Sequence, residues 1–325
     1  MNKIALITGV TGQDGSYLSE HLLTLGYEVH GLVRTPTLEN KNTYFYNLDP
    51  RVIIHRGNIL NIASLHEIIS NITPDEIYNL AAVHKEQHRD GDPGGTGLHN
   101  IIQTNTMGVL NLLEAYRIYS PSAKFFQAGS SEMFGRSSDD GVQKLTTPMS
   151  PVSSYGCAKL LAHNIVCHYR EAYQLHASNG VLFNHESPRR KSIFVTGKIV
   201  KAAVEIKRAR RDKLELGNIN SQRDWGHAKD YVRAMHLILN HDEPRDWIIS
   251  TGKTNSVKDI CEYVFYKLGM DYKEYVVTNE KYRRPGEISF LRGCSLDIKN
   301  ILGWTPNYTF ESMLDEMVHH WEQEI

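Results

Sequence analysis

The sequence contains no apolar run of about 18 residues, so it predicts no membrane-spanning helix. Acidic and basic residues balance to a net charge of −1, which argues against a non-specific binder of nucleic acid or membrane surfaces. Only four cysteines are present, and no two of them have the C-x-x-C spacing of many metal sites. A disulfide framework is not expected in a chain of this size, and a reducing cytoplasm is the expected compartment.

The chain does have enough length and apolar content for a folded core. Its 325 residues suit one large or two modest domains, and 41% hydrophobic with 22% charged residues is ordinary for a globular protein. The first half alternates short β-rich runs with helical patterns. Strands are predicted at residues 4–8, 28–33, 52–55, 76–82, 124–129 and 176–183, and long helices at about 100–119 and 153–173. This alternation predicts an α/β fold built on a parallel sheet with right-handed crossovers.

Three glycines follow the first predicted strand and open the first helix. Gly9, Gly12 and Gly15 form a G-x-x-G-x-x-G pattern directly behind residues 4–8. Small residues at such a turn let the backbone approach a pyrophosphate, and the helix N-terminus supplies free N–H donors. The strand, turn and helix together favour a dinucleotide site over a tight turn that binds nothing.

The turn and the alternation together predict a Rossmann-like doubly wound parallel sheet. After Phe183 the pattern changes to helical stretches near 194–211, 256–268 and 310–324, mixed with short strands. We therefore expect residues 1–183 to form the dinucleotide-binding Rossmann domain, rejoined by about residues 224–252. Residues 184–325 are expected to form a smaller, mainly helical and discontinuous substrate-binding domain.

The residue that ends the second predicted strand bears on the choice of cofactor. NAD binders usually place Asp or Glu there to bind the ribose 2′-hydroxyl. This chain has Arg34, which can pair with a 2′-phosphate. The sequence therefore favours NADP over NAD, with a surface arginine as the alternative interpretation.

Tyr155 and Lys159 stand four residues apart in SSYGCAKL, and Ser130 follows a predicted strand in QAGSSEMFG. Oxidation of an alcohol needs a base to take the hydroxyl proton, and a tyrosine with a pKa near 10 is a poor base at neutral pH. A lysine one helical turn later faces the same side and favours the phenolate by its charge. A serine hydroxyl can hold the substrate oxygen. The set predicts nucleotide-linked alcohol oxidation.

Glu132 narrows the set of possible reactions, because simple reductases and epimerases of this kind need no carboxylate at that position. Oxidation of a sugar at C4 acidifies the proton on C5, and a carboxylate can remove that proton while the C6 hydroxyl leaves as water. A partly desolvated glutamate suits both the base and the acid role. Glu132 therefore favours a 4,6-dehydration, with a solvated loop acid as the alternative interpretation.

The chain resembles the GDP-mannose 4,6-dehydratase family of extended short-chain dehydrogenases/reductases. The resemblance extends over the whole sequence. It is carried by ALITGVTGQDGSYL at the N-terminus, GVLFNHESPRR from Gly180, LGNINSQRDWGHAKDYV from Leu216 and RRPGEI from Arg283.

The resemblance implies a role for individual residues. The catalytic set would be Ser130, Glu132, Tyr155 and Lys159. The cofactor-binding residues would be Gly9, Thr11, Gly12, Gln13, Asp14, Gly15, Arg34, Asn58, Ile59, Leu80, Tyr155 and Lys159. The residues that bind the GDP-linked sugar would be Asn184, Lys198, Arg223, Arg284 and Glu287. No metal is implied.

Two segments depart from the family pattern. The family commonly has A-x-S-H-V-x-V-S-F-E-x-P after the fourth strand, and this chain has AAVHKEQHRDGDP from Ala81 to Pro93. The change makes an altered substrate or a later reaction on a keto-sugar an alternative, as does a solvated loop. After Arg34 the usual R-R-S-S-S-F-N-T is replaced by T-P-T-L-E-N. A homodimer through residues 100–119 and 153–173 is expected by analogy, with a homotetramer as the alternative.

The sequence thus favours a dehydratase that converts a GDP-hexose, most plausibly GDP-D-mannose, to its 4-dehydro-6-deoxy product with tightly bound NADP. A reductase or epimerase acting on a related GDP-sugar is the second hypothesis, since it needs Tyr155 and Lys159 but not Glu132. A non-catalytic cofactor-binding protein is the third, and the complete Ser130, Tyr155 and Lys159 set argues against it.

Overall fold

The computed structural model describes residues 2–34, 48–84, 96–136, 141–282 and 288–325. Its strands are β1 (Ile4–Thr8), β2 (Glu28–Val33), β3 (Ile53–Arg56), β4 (Glu76–Asn79), β5 (Lys124–Ala128), β6 (Ala177–Leu182), β7 (Asn184–Glu186), β8 (Leu214–Leu216), β9 (Gln222–Arg223), β10 (Trp225–His227), β11 (Asp246–Ile249), β12 (Asn255–Ser256), β13 (Val276–Thr278) and β14 (Phe290–Leu291). Its α-helices are α1 (Gln13–Thr24), α2 (Ile62–Ile72), α3 (Thr96–Ile102), α4 (Gly108–Tyr119), α5 (Ser154–Tyr173), α6 (Val195–Lys207), α7 (Ala228–Leu239), α8 (Val257–Lys267), α9 (Tyr272–Tyr275), α10 (Leu296–Leu302) and α11 (Phe310–Glu324).

Seven parallel strands form the central sheet in the order β11-β6-β5-β4-β1-β2-β3. The chain runs outward from β1 to β3 on one side and from β4 to β6 on the other. This doubly wound order places a crevice at the carboxyl ends of β1 and β4, where ligands bind in such sheets. The predicted Rossmann-like α/β fold is confirmed. Among the described helices, none has both the length and the apolar character that a membrane span requires.

Both faces of the sheet are covered by helices, which explains why its strands are almost continuously apolar. On one face, α1 and α7 pack over β1 and β6 in a cluster that includes Ile7, Leu18, Tyr231 and Trp247. On the other face, α2, α4 and α5 pack in a second cluster. A third cluster, away from the sheet, joins α6, α8 and α11 around residues such as Phe265. The first two clusters thus bury the two faces of the sheet, and the third forms a separate core.

After it leaves the central sheet at the end of β6, the chain returns to the sheet through α7 and β11. Helix α7 packs against α1, and β11 pairs with β6 at the sheet edge. This packing is consistent with the predicted rejoining at about residues 224–252. The division into two domains stays a prediction.

Several element ends differ from the sequence-based prediction by one to four residues, and two of the differences bear on the site. Strand β4 ends at Asn79 rather than at residue 82, because the next residues turn toward the glycine-rich segment. The Leu80 N–H donates to the Thr8 carbonyl at 3.3 Å, and the Ala81 N–H donates to the Thr8 hydroxyl at 3.1 Å. The predicted helix over residues 100–119 begins at Thr96 and contains a π-helical stretch, Gln103–Met107.

The π-helical stretch brings Asn105 against the chain that leaves β4. The buried Asn105 side chain accepts a hydrogen bond from the Val83 N–H at 3.0 Å and donates to the Val83 carbonyl at 2.7 Å. Such wide turns recur at functional sites. Here the π-helical turn fixes the start of the segment from Ala81 to Pro93, which departs from the family pattern. Most of that segment lies outside the described residues.

A buried ion pair joins α5 to the edge strand of the sheet. His163 Nε2 lies 3.1 Å from Asp246 Oδ2, and Arg170 Nη1 donates to Asp246 Oδ1 at 3.0 Å. Burial opposes the charge on His163, but hydrogen bonding and attraction to Asp246 raise its pKa to about 9. The imidazolium therefore stabilises the contact between the helix and the edge strand at neutral pH.

Replacing His163 with glutamine should therefore lower the free energy of unfolding in a pH-dependent way. The stabilisation from His163 is fully present below its unfolded-state pKa of 6.5 and is lost as pH rises through about 9. We expect the difference between the native chain and the variant to fall from roughly 3 kcal/mol at low pH toward zero above that range. Urea unfolding across pH in metal-free buffer measures it. A difference that stays constant across this range would contradict the assigned role.

Candidate active site

The glycine turn closes tightly against the start of the loop after β4. Gly9 has a φ of +69°, and a Cβ there would lie 2.8 Å from the Ala81 nitrogen. A Cβ on Gly15 would lie 2.3 Å from the Gly9 carbonyl oxygen, and one on Gly12 would lie 3.1 Å from the same atom. These neighbours are backbone atoms that cannot move aside. The turn therefore depends on glycine for conformation at Gly9 and for space at Gly15.

A Gly15→Ala substitution should disturb the turn and weaken cofactor binding more than it weakens the fold. The added methyl group would displace the Gly9 carbonyl, at a cost on the order of 1–3 kcal/mol in unfolding free energy. Titration of nicotinamide cofactor by isothermal calorimetry should show much weaker binding. Gly26→Ala is the control: a Cβ at Gly26 meets no atom within 4 Å, although its φ of +82° costs some stability. Equal cofactor affinity in both variants would contradict this prediction.

Helix α1 begins in a way that suits an anionic ligand. Its N-cap is Gly12, with no side chain hydrogen-bonded over the first turn. The amide groups there remain aimed at the carboxyl edge of the sheet, and the helix dipole favours negative charge at this end. The absence of a Cβ at Gly9 and Gly15 lets the turn pack tightly against its own backbone, which holds these amide groups in place for a dinucleotide. These residues fit a pyrophosphate-bearing cofactor.

The first turn of α1 is also tied to β7 and the residues after it. Asp14 Oδ2 lies 2.9 Å from His185 Nε2, and the Ser187 hydroxyl donates to Gln13 Oε1 at 2.7 Å. Burial opposes charge on Asp14 and His185, but their mutual attraction lowers the pKa of Asp14 and raises that of His185. The predicted cofactor residues Gln13 and Asp14 thus also support the segment that carries Asn184.

The remaining predicted cofactor residues surround the same edge of the sheet. Thr11 belongs to the glycine turn, the Leu80 carbonyl faces Gly9, and Arg34 is exposed directly after β2. Asn58 Oδ1 accepts the Leu60 N–H at 3.0 Å, so at least one oxygen lone pair of this side chain has a local role. Buried Ile59 packs against Gly108 in α4. No cofactor contact is assigned by these positions alone.

Tyr155 and Lys159 lie one turn apart at the start of α5, which Ser153 caps by accepting the Gly156 N–H at 3.0 Å. Lys159 is buried, and its ammonium donates to the Ala128 carbonyl at 2.9 Å. The same nitrogen lies 5.7 Å from the centroid of the Tyr155 ring. The loop after β5 places Ser130 close enough to Tyr155 to act on the pKa of its phenol. The structure therefore brings the predicted hydroxyl, phenol and amine together.

The ionisation of this pair is shifted by its surroundings. Burial raises the pKa of Tyr155 well above its usual value, and the charge of Glu132 raises it further, whereas Arg190 and Ser130 act in the opposite direction. Burial lowers the pKa of Lys159 to about 8, and Asp14 opposes that shift. Perturbed groups of this kind cluster at catalytic sites. The Lys159 nitrogen lies close to the Tyr155 ring, so we expect the titrations of the two groups to be coupled.

Glu132 faces the same site from a short 3₁₀ turn, Ser131–Met133. Its Oε2 accepts a hydrogen bond from the Ser153 hydroxyl at 2.8 Å, and its Oε1 lies 3.6 Å from His84 Nε2. The carboxylate keeps 29% of its side-chain exposure. The ring of His84 packs 4.3 Å from that of Tyr155, centroid to centroid. A partly exposed carboxylate is thus held beside the phenol and can reach a substrate.

The predicted substrate residues are only partly brought to this site. Asn184 begins β7, at the carboxyl side of the central sheet. Lys198 in α6 donates to the Glu215 carbonyl at 2.6 Å, and Arg223 in β9 donates to the Ile288 carbonyl at 2.6 Å. Both cations therefore have backbone carbonyl partners in the part of the chain that follows β7. Arg284 and Glu287 lie outside the described residues.

Sequence reasoning did not single out several residues that the structure places at the site. Ser153 orients Glu132, and Arg190 lies close enough to Tyr155 to affect its pKa. The Arg190 guanidinium carbon also lies 3.7 Å from the Phe194 ring centroid. Ser153 could have been found as the N-cap of a predicted helix. Arg190 and His185 lie in the GVLFNHESPRR segment, but no local pattern gives their partners.

Comparisons with known proteins give the family. A family model for GDP-mannose 4,6 dehydratase matches residues 6–317. GDP-mannose 4,6 dehydratase 1 of Arabidopsis thaliana is 44% identical over 329 residues, covering 97% of this chain and 89% of the relative.

Two solved structures support the fold alone. The dTDP-glucose 4,6-dehydratase of Bacillus anthracis in complex with NAD aligns with a TM-score of 0.84 and 24% identity, covering 99% of this chain and 97% of the other. RMD from Pseudomonas aeruginosa complexed with NADPH aligns with a TM-score of 0.81 and 21% identity, covering 100% of each chain.

The family model spans nearly the whole sequence, and the Arabidopsis relative is similar over nearly its whole length. The resemblance inferred from the glycine turn, Glu132 and the Tyr155–Lys159 pair is thereby confirmed. The chain belongs to the GDP-mannose 4,6-dehydratase family.

Proposed function

We propose that this protein dehydrates GDP-D-mannose to GDP-4-dehydro-6-deoxy-D-mannose and water. Among the residues, Glu132 carries the proposal: a partly exposed carboxylate hydrogen-bonded to Ser153 beside the Tyr155 phenol. Alcohol oxidation alone would not need it. The family membership supports the substrate, and the site supports the order of oxidation followed by elimination.

Tyr155, Lys159 and Ser130 would act on the C4 hydroxyl. Ser130 lies beside Tyr155, close enough to lower the pKa of its phenol, and would bind the same substrate oxygen. Tyr155 would accept the hydroxyl proton, and the nearby Lys159 ammonium would favour the resulting phenolate. When bound, an oxidised nicotinamide cofactor supplies the acceptor for the C4 hydride and returns that hydride to C6.

Glu132 would act on the next two carbons. Once C4 is a ketone, the C5 proton is acidic, and Glu132 would remove it as the C6 hydroxyl departs. The same carboxylic acid can protonate that leaving hydroxyl, so one group serves as base and then as acid. Return of the hydride to C6 would be matched by a solvent-derived proton at C5, and Tyr155 would release the proton it took from the C4 hydroxyl, so that the net change is the loss of one water. Ser153 holds one oxygen of Glu132 and leaves the other to the substrate side, next to His84. Proton transfer at C5 is thereby separated from proton transfer at C4.

We propose NADP as the tightly bound cofactor, with NAD as the alternative. Arg34 supports this choice because it is exposed directly after β2, where a 2′-phosphate would be bound. A charge-assisted hydrogen bond contributes about 1.5–3 kcal/mol, so Arg34→Asp should lower the preference for NADP by roughly ten- to a hundredfold.

Equilibrium binding of both cofactors to the native chain and to Arg34→Asp measures this preference. Arg34→Lys is the matched control, since it keeps the positive charge and loses only the bidentate geometry. An unchanged NADP-to-NAD ratio in Arg34→Asp would show that Arg34 is a surface residue.

We also propose substrate roles for Asn184, Lys198, Arg223, Arg284 and Glu287. Lys198 and Arg223 would supply cationic donors, and a pyrophosphate favours such donors. The proposal extends to a homodimer in a reducing cytoplasm. The four cysteines are all unpaired, as that compartment would require.

Incubation of the protein with GDP-mannose, followed by mass spectrometry, tests the function. The product should lose the mass of one water, and in D₂O it should gain deuterium at C5. An isobaric product would instead favour an epimerase, and net reduction of a keto-sugar would favour a reductase. Unchanged GDP-mannose with cofactor bound would overturn the proposal.

A further inference from the structure

A second cluster of chemistry-bearing side chains lies along the same helix as the catalytic pair. Tyr155, Lys159, His163 and Cys167 recur every four residues on α5, so they lie along one side of the helix. His163 and Cys167 face Asp246, the first residue of edge strand β11. This trio plays no part in the proposed reaction.

The three donor atoms have the separations of a metal-binding set. His163 Nε2 lies 3.1 Å from Asp246 Oδ2, Cys167 Sγ lies 3.6 Å from the same oxygen, and all three atoms lie within 4.8 Å of one another. Zinc bonds of about 2.0–2.3 Å in a tetrahedral arrangement would place N, O and S donors about 3.3–3.6 Å apart. Small side-chain movements are enough to bring these three donor atoms to the distances needed to bind one ion.

The two oxygens of Asp246 are used differently. Its Oδ1 accepts hydrogen bonds from Arg170 and Asn179, each at 3.0 Å, and this fixes the plane of the carboxylate. Its Oδ2 is turned toward His163 and Cys167. Supporting hydrogen bonds to the non-ligating oxygen are what metal-binding carboxylates use. Arg170 also donates to Cys167 Sγ at 3.3 Å and to the Ala177 carbonyl at 3.1 Å. A metal-bound thiolate can still accept such a hydrogen bond, so Arg170 can keep its position when an ion binds.

The charge of the cluster is compatible with a divalent cation despite the nearby arginine. With His163 protonated and Cys167 as a thiol, the cluster with Asp246 and Arg170 carries a net charge of +1. Replacement of the imidazolium proton and the thiol proton by one Zn²⁺ releases two protons and leaves the net charge at +1. The interior therefore gains no additional charge when the ion binds.

Two further observations support a metal site: the cluster is accessible from solvent, and, in the part of the chain that the structure describes, a buried polar atom next to it makes no hydrogen bond. Asp246 keeps 21% of its side-chain exposure and Cys167 is half-buried, which gives an ion and a water molecule an entry route. Within the described residues, buried Asn179 Oδ1 next to the cluster makes no hydrogen bond. We infer that Cys167, His163 and Asp246 form a zinc site, with water in the fourth position, that links α5 to the edge strand.

Metal titration of the full chain tests the inference. The protein is stripped with a chelator, and Co²⁺ is added as a spectroscopic probe and then Zn²⁺ in competition with a chromogenic chelator. We expect one ion per chain, a thiolate-to-cobalt charge-transfer band, and a higher thermal unfolding temperature with Zn²⁺. Cys167→Ser should abolish the band and weaken Zn²⁺ binding by at least about tenfold.

The controls distinguish the site from general thiol binding and from misfolding. Cys157→Ser removes an exposed cysteine of the same helix and should leave the titration unchanged. His163→Gln provides a second ligand variant in case Cys167→Ser fails to fold. Absence of stoichiometric binding, or equal binding in the native chain and in a folded ligand variant, would overturn the inference. Neither readout depends on turnover of a GDP-sugar.

Discussion

Replacing Glu132 with glutamine should stop the reaction after the C4 hydroxyl has been oxidised. The amide keeps the shape of the side chain and can still accept the Ser153 hydrogen bond, but it cannot take the C5 proton. Loss of such a general base typically lowers turnover by about 10²–10⁴-fold. GDP-mannose oxidised at C4 but retaining its C6 hydroxyl should remain on the enzyme.

This trapped ketone can be detected directly. Quenching with borodeuteride should place one deuterium at C4 of a sugar that still carries oxygen at C6, as read by mass spectrometry. The control Glu171→Gln alters an exposed carboxylate of α5 and should react like the native chain. Full dehydratase activity in Glu132→Gln, or no label at C4, would refute the separate roles given to Glu132 and Tyr155.

Replacing Tyr155 with phenylalanine should block the reaction one step earlier. The variant keeps a ring to pack against His84 but loses the hydroxyl that would accept the C4 proton. Turnover should fall by about 10²–10⁴-fold, and the borodeuteride trap should yield no C4 label. Tyr173→Phe, at an exposed position of the same helix, is the control.

The pH dependence of the native chain gives an independent check on the Tyr155–Lys159 pair. The pKa of Lys159 is about 8, and that of Tyr155 is raised above its usual value. The active phenolate–ammonium form has one proton fewer than the fully protonated pair, the same count as the phenol–amine form. Activity should therefore rise with pH up to about 8 and then level off. A rise that continues well beyond this pH would contradict the coupling.

The elements best predicted from sequence were those that a local pattern defines. Strands β1 and β2 have the predicted bounds, because each is an apolar run ended by glycine or a polar residue. Tyr155 and Lys159 were predicted to share a helix face, since a spacing of four residues fixes that relation. The predicted end of β4 was wrong. The apolar residues 80–82 are typical of a strand, but hydrogen bonds to the Thr8 carbonyl and hydroxyl hold their backbone against the glycine turn.

The contacts that define the site could not be read from local patterns. The hydrogen bond from Ser153 to Glu132 joins residues 21 positions apart. The contact of His84 with Tyr155 joins the segment after β4 to helix α5. Such pairs depend on how the sheet orders its strands. The zinc ligands illustrate the same point, because Asp246 is brought to His163 and Cys167 only by the pairing of β11 with β6.

The two hydrogen bonds between Asn105 and Val83 have a consequence for how this protein can evolve. They hold Val83, near the start of the segment from Ala81 to Pro93, much as a neighbouring strand would, and His84 follows immediately. His84 in turn contacts Tyr155 and lies beside Glu132. Substitutions beyond His84 should therefore leave Tyr155 and Glu132 in place, so that this segment can be altered in evolution without loss of the catalytic geometry.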